Sequence, residues 1–138
     1  GTPAIGEAIA LAEALRYISK IGLDNIHAYE QDLTAYLFNE LKKINDLIII
    51  GPSPSIDPDR ASLATFYVKD LHSNDIAEIL DSKGICIRSG HHCCQPLHRH
   101  IGVNSTARVS MNFTTTKRDV DIFIEKLNET IVFLRENS

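Results

Sequence analysis

Two long apolar patterns with helical spacing open this chain and restrict it to folds that contain packed helices. The second pattern is the clearer one, because apolar residues recur every three or four positions over 26–44. Asp24 is the predicted cap of that helix. The first pattern starts at Thr2 and Pro3, where a threonine cap followed by proline favours a helix start. It stops at Gly22, a typical C-terminal cap.

Short runs of β-forming residues follow these helices, and a third helical pattern closes the chain. We predict strands over residues 47–50, 63–68, 85–88 and 106–112. Ser73 is the predicted cap of a short helix that ends at Gly84, and Thr116 with Asp119 is typical of a capping box. The proline-rich segment 51–60 is a predicted loop.

This order of elements, α-α-β-β-α-β-loop-β-α, predicts an α+β fold. A small, mostly antiparallel sheet would pack against the helices. A length of 138 residues is enough for one domain with a sizeable core, so we interpret residues 1–138 as a single domain.

Charge and cysteine content limit the classes of partner and compartment. A formal net charge of −4 gives no basic footprint for nucleic acid or for an anionic membrane. Three cysteines without a signal peptide or a long apolar run predict a soluble protein of a reducing compartment, the cytoplasm or a plastid. The chain begins with Gly1 rather than Met, so we expect it to be a segment of a longer protein.

The chemistry of the chain is concentrated in the stretch Arg88-Ser89-Gly90-His91-His92-Cys93-Cys94-Gln95-Pro96. It directly follows a predicted strand, and loops at strand ends are where a scaffold presents reactive groups. Neighbouring cations favour a thiolate, so Cys93 or Cys94 is a candidate nucleophile. Cys86 lies between two isoleucines, and we predict that it is a buried and inert core residue.

Three chemistries fit this loop, and the residues alone leave all three open. The first is a metal site, for which adjacent ligands are poorly spaced. Its candidate ligands are His91, His92, Cys93, Cys94, His98 and His100. The second is a Cys–His hydrolase, which needs a base aimed at the thiol and a group that orients the base. The third is thiol chemistry without a paired base, in which the thiolate attacks a sulfur or electrophile held by another group.

Several motifs together resemble one enzyme family over essentially the whole chain. They are Gly1-Thr2-Pro3-Ala4-Ile5-Gly6 before a long helix, Asp75-Ile76-Ala77-Glu78-Ile79-Leu80-Asp81, Arg88-Ser89-Gly90-His91-His92-Cys93 followed by Gln95-Pro96-Leu97-His98-Arg99, and Ala107-Arg108-Val109-Ser110. This set resembles the carboxy-terminal small domain of SufS-like cysteine desulfurases, pyridoxal-phosphate enzymes of the class V aminotransferase type.

The resemblance implies roles for four residues. Cys93 would take sulfur from L-cysteine as a persulfide and release alanine. Arg108 would bind the substrate carboxylate, for which a guanidinium has a matching two-pronged geometry. Arg88 would assist beside the substrate and the thiolate. Thr2 would contribute to the phosphate site of pyridoxal phosphate in the other subunit of a homodimer. Cys94 departs from the family pattern, in which a non-thiol is usual.

The resemblance also implies a larger protein with defined partners. No lysine of this chain follows a histidine as the family's cofactor-binding lysine does, so we expect a separate large domain to bind pyridoxal phosphate. We expect no turnover by these 138 residues alone. The implied sulfur acceptor is a SufE-like protein in iron–sulfur cluster assembly, and selenocysteine is a second candidate substrate. The alternative function is a metal-binding or sulfur-carrier module that uses the His/Cys loop without pyridoxal phosphate.

Overall fold

The computed structural model describes residues 1–137, which form five helices and four strands. The helices are α1 (Ile5–Ile21), α2 (Leu23–Leu41), α3 (Ser73–Ser82), α4 (Gln95–Ile101) and α5 (Lys117–Glu136). The strands are β1 (Leu47–Ile50), β2 (Leu63–Val68), β3 (Arg88–Gly90) and β4 (Thr106–Ser110). The predicted α+β class is confirmed, although α4 was not predicted.

The four strands form one sheet in the order β1-β2-β4-β3, and each neighbouring pair is antiparallel. In β2 the residues Ala64, Phe66 and Val68 are buried and alternate with half-exposed neighbours, as a strand with one face on the core requires. Helices α2, α3 and α5 contribute the facing apolar side chains. The core thus occupies one face of the sheet and leaves the opposite face for other uses.

The helix ends show which predicted caps are correct. Gly22, with φ of 90°, ends α1 as predicted, and its amide donates to the Ile18 carbonyl. Thr2 is not a cap, because α1 begins only at Ile5 after Ala4. Asp24 is not a cap either, since α2 starts directly after Gly22 and places that carboxylate within its first turn.

The caps of the two later helices differ in outcome. His72, rather than Ser73, caps α3, because its ring accepts the Asn74 amide at 3.2 Å while Ser73 is buried. The predicted capping box at Thr116 is confirmed. The amide of Asp119 donates to the Thr116 hydroxyl at 3.3 Å, and the Thr116 amide donates to the Asp119 carboxylate at 2.8 Å.

The third strand lies three residues later than predicted. The chain leaves α3 through Gly84, with φ of 79°, and residues 85–87 run outside the sheet before β3. Ile85 and Ile87 are both half-buried against the core, so Cys86 between them faces outward and is exposed. The prediction that Cys86 is buried was therefore wrong.

Helix α1 packs along α2 and has no buried residue of its own. Most of its large apolar side chains are exposed, among them Ile9 and Leu15, whereas Ile18 and Ile21 are half-buried. No helix within residues 1–137 is long and apolar enough to span a membrane.

Candidate active site

The short helix α4 covers part of the sheet face opposite the core. Both ends of α4 carry residues that are common at helix ends. Pro96 lies in its first turn, and Gly102, with φ of 74°, ends it. Leu97 and Ile101 are one turn apart, which puts both on the same side of α4. These signals in the sequence could have predicted the helix, but the run of polar residues around them resembles a loop.

Residues 91–94 connect β3 to α4 and form the cysteine loop. A cleft of about 260 Å³ opens between α4, this loop and the sheet. Its lining residues are Ile50, Leu63, Thr65, His92, Cys94, Leu97, His98, Ile101, Thr106 and Arg108. A larger cleft of about 550 Å³ lies along residues 67–72 and 102–105, and it contains none of the predicted site residues. The smaller cleft is therefore the candidate site, because Arg108, His92 and Cys94 line it. Cys93 and Arg88, two of the predicted site residues, are not among its lining residues.

The strand register brings the two predicted arginines together. Arg108 on β4 is directly opposite Arg88 on β3 and, on its other side, opposite Thr65 on β2. Directly paired residues of antiparallel strands point to the same face, and like charges in that arrangement destabilise the sheet. The Nε atom of Arg108 is also buried and has no hydrogen-bond partner within residues 1–137. This geometry is suited to an anion that would satisfy the guanidinium and offset the repulsion.

His92 extends from the cysteine loop to β4. Its Nε2 atom lies 3.1 Å from the Thr106 carbonyl oxygen, which can only accept, so Nε2 carries the proton. Burial lowers the pKa of His92, and the charges of Arg108 and Arg88 act in the same direction, while the hydrogen bond to Thr106 opposes them. The ring is therefore neutral at pH 7, and its Nδ1 lone pair is able to accept a proton.

The sequence offered His98 only as a candidate metal ligand, yet its side chain is the most buried of residues 91–100, with 3% of its surface exposed. Its Nδ1 lies 3.1 Å from the Cys94 carbonyl oxygen, and its Nε2 lies 3.0 Å from the Thr106 hydroxyl. The rings of His91 and His92 flank it, with centroid distances of 5.3 Å and 6.2 Å. A histidine one helical turn after a loop cysteine gives no distinctive signal, which explains why its contact with Thr106 was not predicted.

The two adjacent thiols occupy different environments. Cys93 is exposed, whereas Cys94 is half-buried and belongs to the cleft lining. His92 and Cys93 have φ values of 50° and 60°, so two successive residues adopt the left-handed conformation that side chains disfavour. Within residues 1–137, no three His, Cys, Asp or Glu side chains converge to hold a metal ion.

Cys86, the cysteine outside the loop, is held in its thiol form by the neighbouring Asp81 carboxylate. The Cys86 Sγ donates to an Asp81 carboxylate oxygen at 3.3 Å, and this hydrogen bond raises the pKa of the thiol. The low reactivity predicted for Cys86 stays a prediction, and its physical basis would be Asp81 rather than burial. Thr2, the remaining predicted site residue, is exposed before α1 and does not line the cleft.

Comparison with known proteins gives one consistent result. The family model for class-V aminotransferases matches residues 1–123. The chain is 48% identical, over 99% of its length, to a probable cysteine desulfurase of Synechocystis sp., and 45% identical, over 96%, to one of Staphylococcus aureus. It spans 32% of the length of each of these relatives.

Solved structures show the same relation. The apo cysteine desulfurase of Thermococcus onnurineus superposes with a TM-score of 0.84 at 36% identity, over 94% of this chain and 32% of that one. The cysteine desulfurase CsdA of Escherichia coli superposes with a TM-score of 0.81 at 26% identity, over 96% of this chain and 32% of that one. The fold is therefore shared with proteins about three times as long.

Proposed function

We propose, from the premise that this chain belongs to the class-V aminotransferase family, that it is the small domain of a cysteine desulfurase dependent on pyridoxal phosphate. The whole enzyme would convert L-cysteine to L-alanine and leave the sulfur on a cysteine of this chain. The similarity to proteins named as cysteine desulfurases supports the assignment. The observation that carries it is Arg108, which lines the cleft, has a buried Nε without a hydrogen-bond partner within residues 1–137, and lies directly opposite Arg88 on β3.

The residues of this chain fit an amino-acid substrate of such an enzyme. The buried Nε of Arg108 has no partner within residues 1–137, and a substrate carboxylate is an anion of the right shape for it. Pyridoxal phosphate, when bound, supplies an electron sink for negative charge that develops on the substrate. We assign its lysine to residues outside this chain. Thr2 is the one residue here that we propose near its phosphate, across a homodimer contact.

Arg108 would hold the substrate by two parallel hydrogen bonds to its carboxylate. Arg88, directly opposite on β3, would add positive potential from the exposed edge of the sheet. Arginine is suited to this task because its guanidinium stays charged and presents its donors in a fixed plane. The apolar side of the cleft, formed by Leu97 and Ile101, would limit water around this ion pair and so strengthen it.

Cys93 would then accept the sulfur. Its thiolate attacks the substrate sulfur, a sulfur–sulfur bond forms, and the carbon–sulfur bond breaks with its electron pair retained by the carbon fragment. That fragment takes up a proton and leaves as alanine, and Cys93 keeps a persulfide. The neutral His92 is the nearest base in sequence, and its Nδ1 is able to take the thiol proton.

The fate of the sulfur follows from the exposure of the loop. Cys93 lies at the surface, where a second protein could remove the outer sulfur from a persulfide. We propose a SufE-like acceptor that supplies iron–sulfur cluster assembly in the cytoplasm. Selenocysteine fits the same carboxylate and thiol contacts, and it remains a second candidate substrate.

The full-length protein with its cofactor provides the test. Arg108→Lys keeps the charge but loses the planar pair of donors, so the KM for L-cysteine should rise about 10- to 150-fold, as expected for about 1.5–3 kcal/mol of charged hydrogen bonding. The matched control is Arg99→Lys in α4, an exposed arginine outside the cleft lining. An unchanged KM in Arg108→Lys would mean that another group binds the carboxylate.

A further inference from the structure

We propose that His98 is a positioning residue that fixes the His92–Cys93 turn to strand β4 and thereby selects the tautomer of His92. His98 lies on α4 and lines the cleft, and its hydrogen bonds go to Cys94 and Thr106 rather than to Cys93 or Arg108. The inference deepens the proposed function and rests on it for the effect on turnover. The positioning itself can be tested without turnover.

The hydrogen bonds of His98 define its protonation pattern. The Cys94 carbonyl oxygen only accepts, so Nδ1 of His98 carries a proton and donates across 3.1 Å. In the neutral ring Nε2 then has the lone pair, and it accepts the Thr106 hydroxyl across 3.0 Å. Both ring nitrogens are therefore used, as a side chain that is only 3% exposed requires.

Thr106 is the common partner of the two histidines. Its hydroxyl binds His98, its carbonyl oxygen accepts from Nε2 of His92, and its side chain is fully buried. Thr106 is also two residues before Arg108, on the same face of β4. The bonds of His98 and His92 to this one residue therefore set the distance of the cysteine turn from the arginine cleft.

The backbone of the turn explains why such a fixation is needed. His92 and Cys93 both have positive φ values, 50° and 60°, which are strained for residues with a Cβ. A strained conformation persists only where the surrounding structure over-determines it. Three hydrogen bonds hold the strained turn in place: His92 to Thr106, His98 to Thr106, and His98 to the Cys94 carbonyl just after the turn.

The consequence concerns the proton of His92. With the turn held in place, Nε2 of His92 donates to the Thr106 carbonyl oxygen, and Nδ1 keeps its lone pair. His92 is the residue directly before Cys93 in the sequence. Without His98, the turn can relax, the bond to the Thr106 carbonyl weakens, and both tautomers of His92 become populated. His98 thus acts on the reaction only through His92 and Cys93.

Nitrogen NMR of the 138-residue chain labelled at histidine tests this directly. In the wild type we expect His92 to show a protonated Nε2 and an unprotonated Nδ1. His98→Leu should shift both His92 signals toward the average of two tautomers. His98→Asn places an amide nitrogen close to the position of Nδ1, keeps the bond to Cys94, and should restore part of the wild-type pattern.

A matched control and a smaller perturbation keep the test decisive. The control is His100→Leu, since His100 is exposed two residues further along α4. Thr106→Val removes only the hydroxyl, so it serves if His98→Leu does not fold, and it should shift His92 in the same direction by a smaller amount. His92 signals in Thr106→Val or His98→Leu that match those of His100→Leu would overturn the proposal.

Turnover by the full-length enzyme separates this proposal from the proposed function. His98→Leu should lower kcat about fivefold, the equivalent of one net hydrogen bond, and leave the KM for L-cysteine within about twofold. A kcat equal to that of His100→Leu would refute the catalytic consequence. If the wild type makes no alanine while the NMR shifts occur as expected, the proposed function fails and the positioning of His92 stands.

Discussion

Replacing Arg108 by methionine should stabilise the fold, although it removes the group that we assign to substrate binding. Methionine fills a similar elongated volume without charge, so the change mainly removes the guanidinium. Two unfavourable features would disappear with it. One is the buried Nε that lacks a hydrogen-bond partner within residues 1–137, and the other is the like charge of Arg88 directly opposite.

The magnitude follows from these two features. An unsatisfied buried donor costs about 1–3 kcal/mol, and a directly opposed pair of like charges costs a few tenths of a kcal/mol. Loss of the packing and solvation of the guanidinium opposes this gain, so we expect a net increase of about 1–2 kcal/mol in the free energy of unfolding. For a chain of this length that corresponds to a rise of about 3–10 °C in Tm.

Arg88→Met is the matched variant, because it relieves the same repulsion but leaves the Arg108 Nε unsatisfied. Its gain should stay at about 0.5 kcal/mol or less and should fade at high salt, since Arg88 is exposed and screened. Urea unfolding of the three proteins measures both effects. A loss of stability in Arg108→Met, or equal gains in the two variants, would show that the unsatisfied guanidinium of Arg108 does not lower the free energy of unfolding.

The other predictions concern the histidine, the helix cap and the thiols. Because burial lowers the pKa of His92 in the folded state, the unfolded state binds more protons, so the free energy of unfolding should fall as the pH drops below about 6.5. His92→Gln should show a shallower decline in the same denaturation series. Thr116→Ala should cost about 1 kcal/mol in urea unfolding, because it breaks the capping box with Asp119; an effect below about 0.3 kcal/mol would contradict this. Sub-stoichiometric iodoacetamide should label Cys93 before Cys94, as read by peptide mass spectrometry. Asp81→Asn should accelerate the labelling of Cys86, because it removes the carboxylate that raises the pKa of that thiol.

The sequence predicted the elements whose signals are local and strong. The long apolar periodicity of α2 and α5, the glycine at position 22 and the capping box at Thr116 depend on neighbouring residues alone. The alternation in β4 is also local, because Ala107 and Val109 are buried in the core and Arg108 between them lies on the opposite face. The structure agrees with these local signals.

The local cap predictions at Thr2, Asp24 and Ser73 were wrong by one or two positions, because a cap residue alone does not set where a helix begins. The other failures depend on how the chain folds back on itself. Cys86 looked like a core residue, but the turn at Gly84 displaces it from the sheet and exposes it beside Asp81. The pairing of Arg88 with Arg108 depends on a strand register set by residues twenty positions apart. The role of His98 depends on Thr106, which the fold of α4 over the sheet brings within hydrogen-bond distance.

The most direct test of the account is to locate the sulfur after one turnover. The full-length enzyme is loaded with pyridoxal phosphate and incubated briefly with isotopically sulfur-labelled L-cysteine, and intact peptides are then sequenced by mass spectrometry. We expect one labelled sulfur on Cys93 for each alanine released, neither product in Cys93→Ser, and most of both in Cys94→Ser. Labelled sulfur on Cys94 instead, or alanine release that persists in Cys93→Ser, would contradict the assignment of Cys93 as the residue that accepts the sulfur.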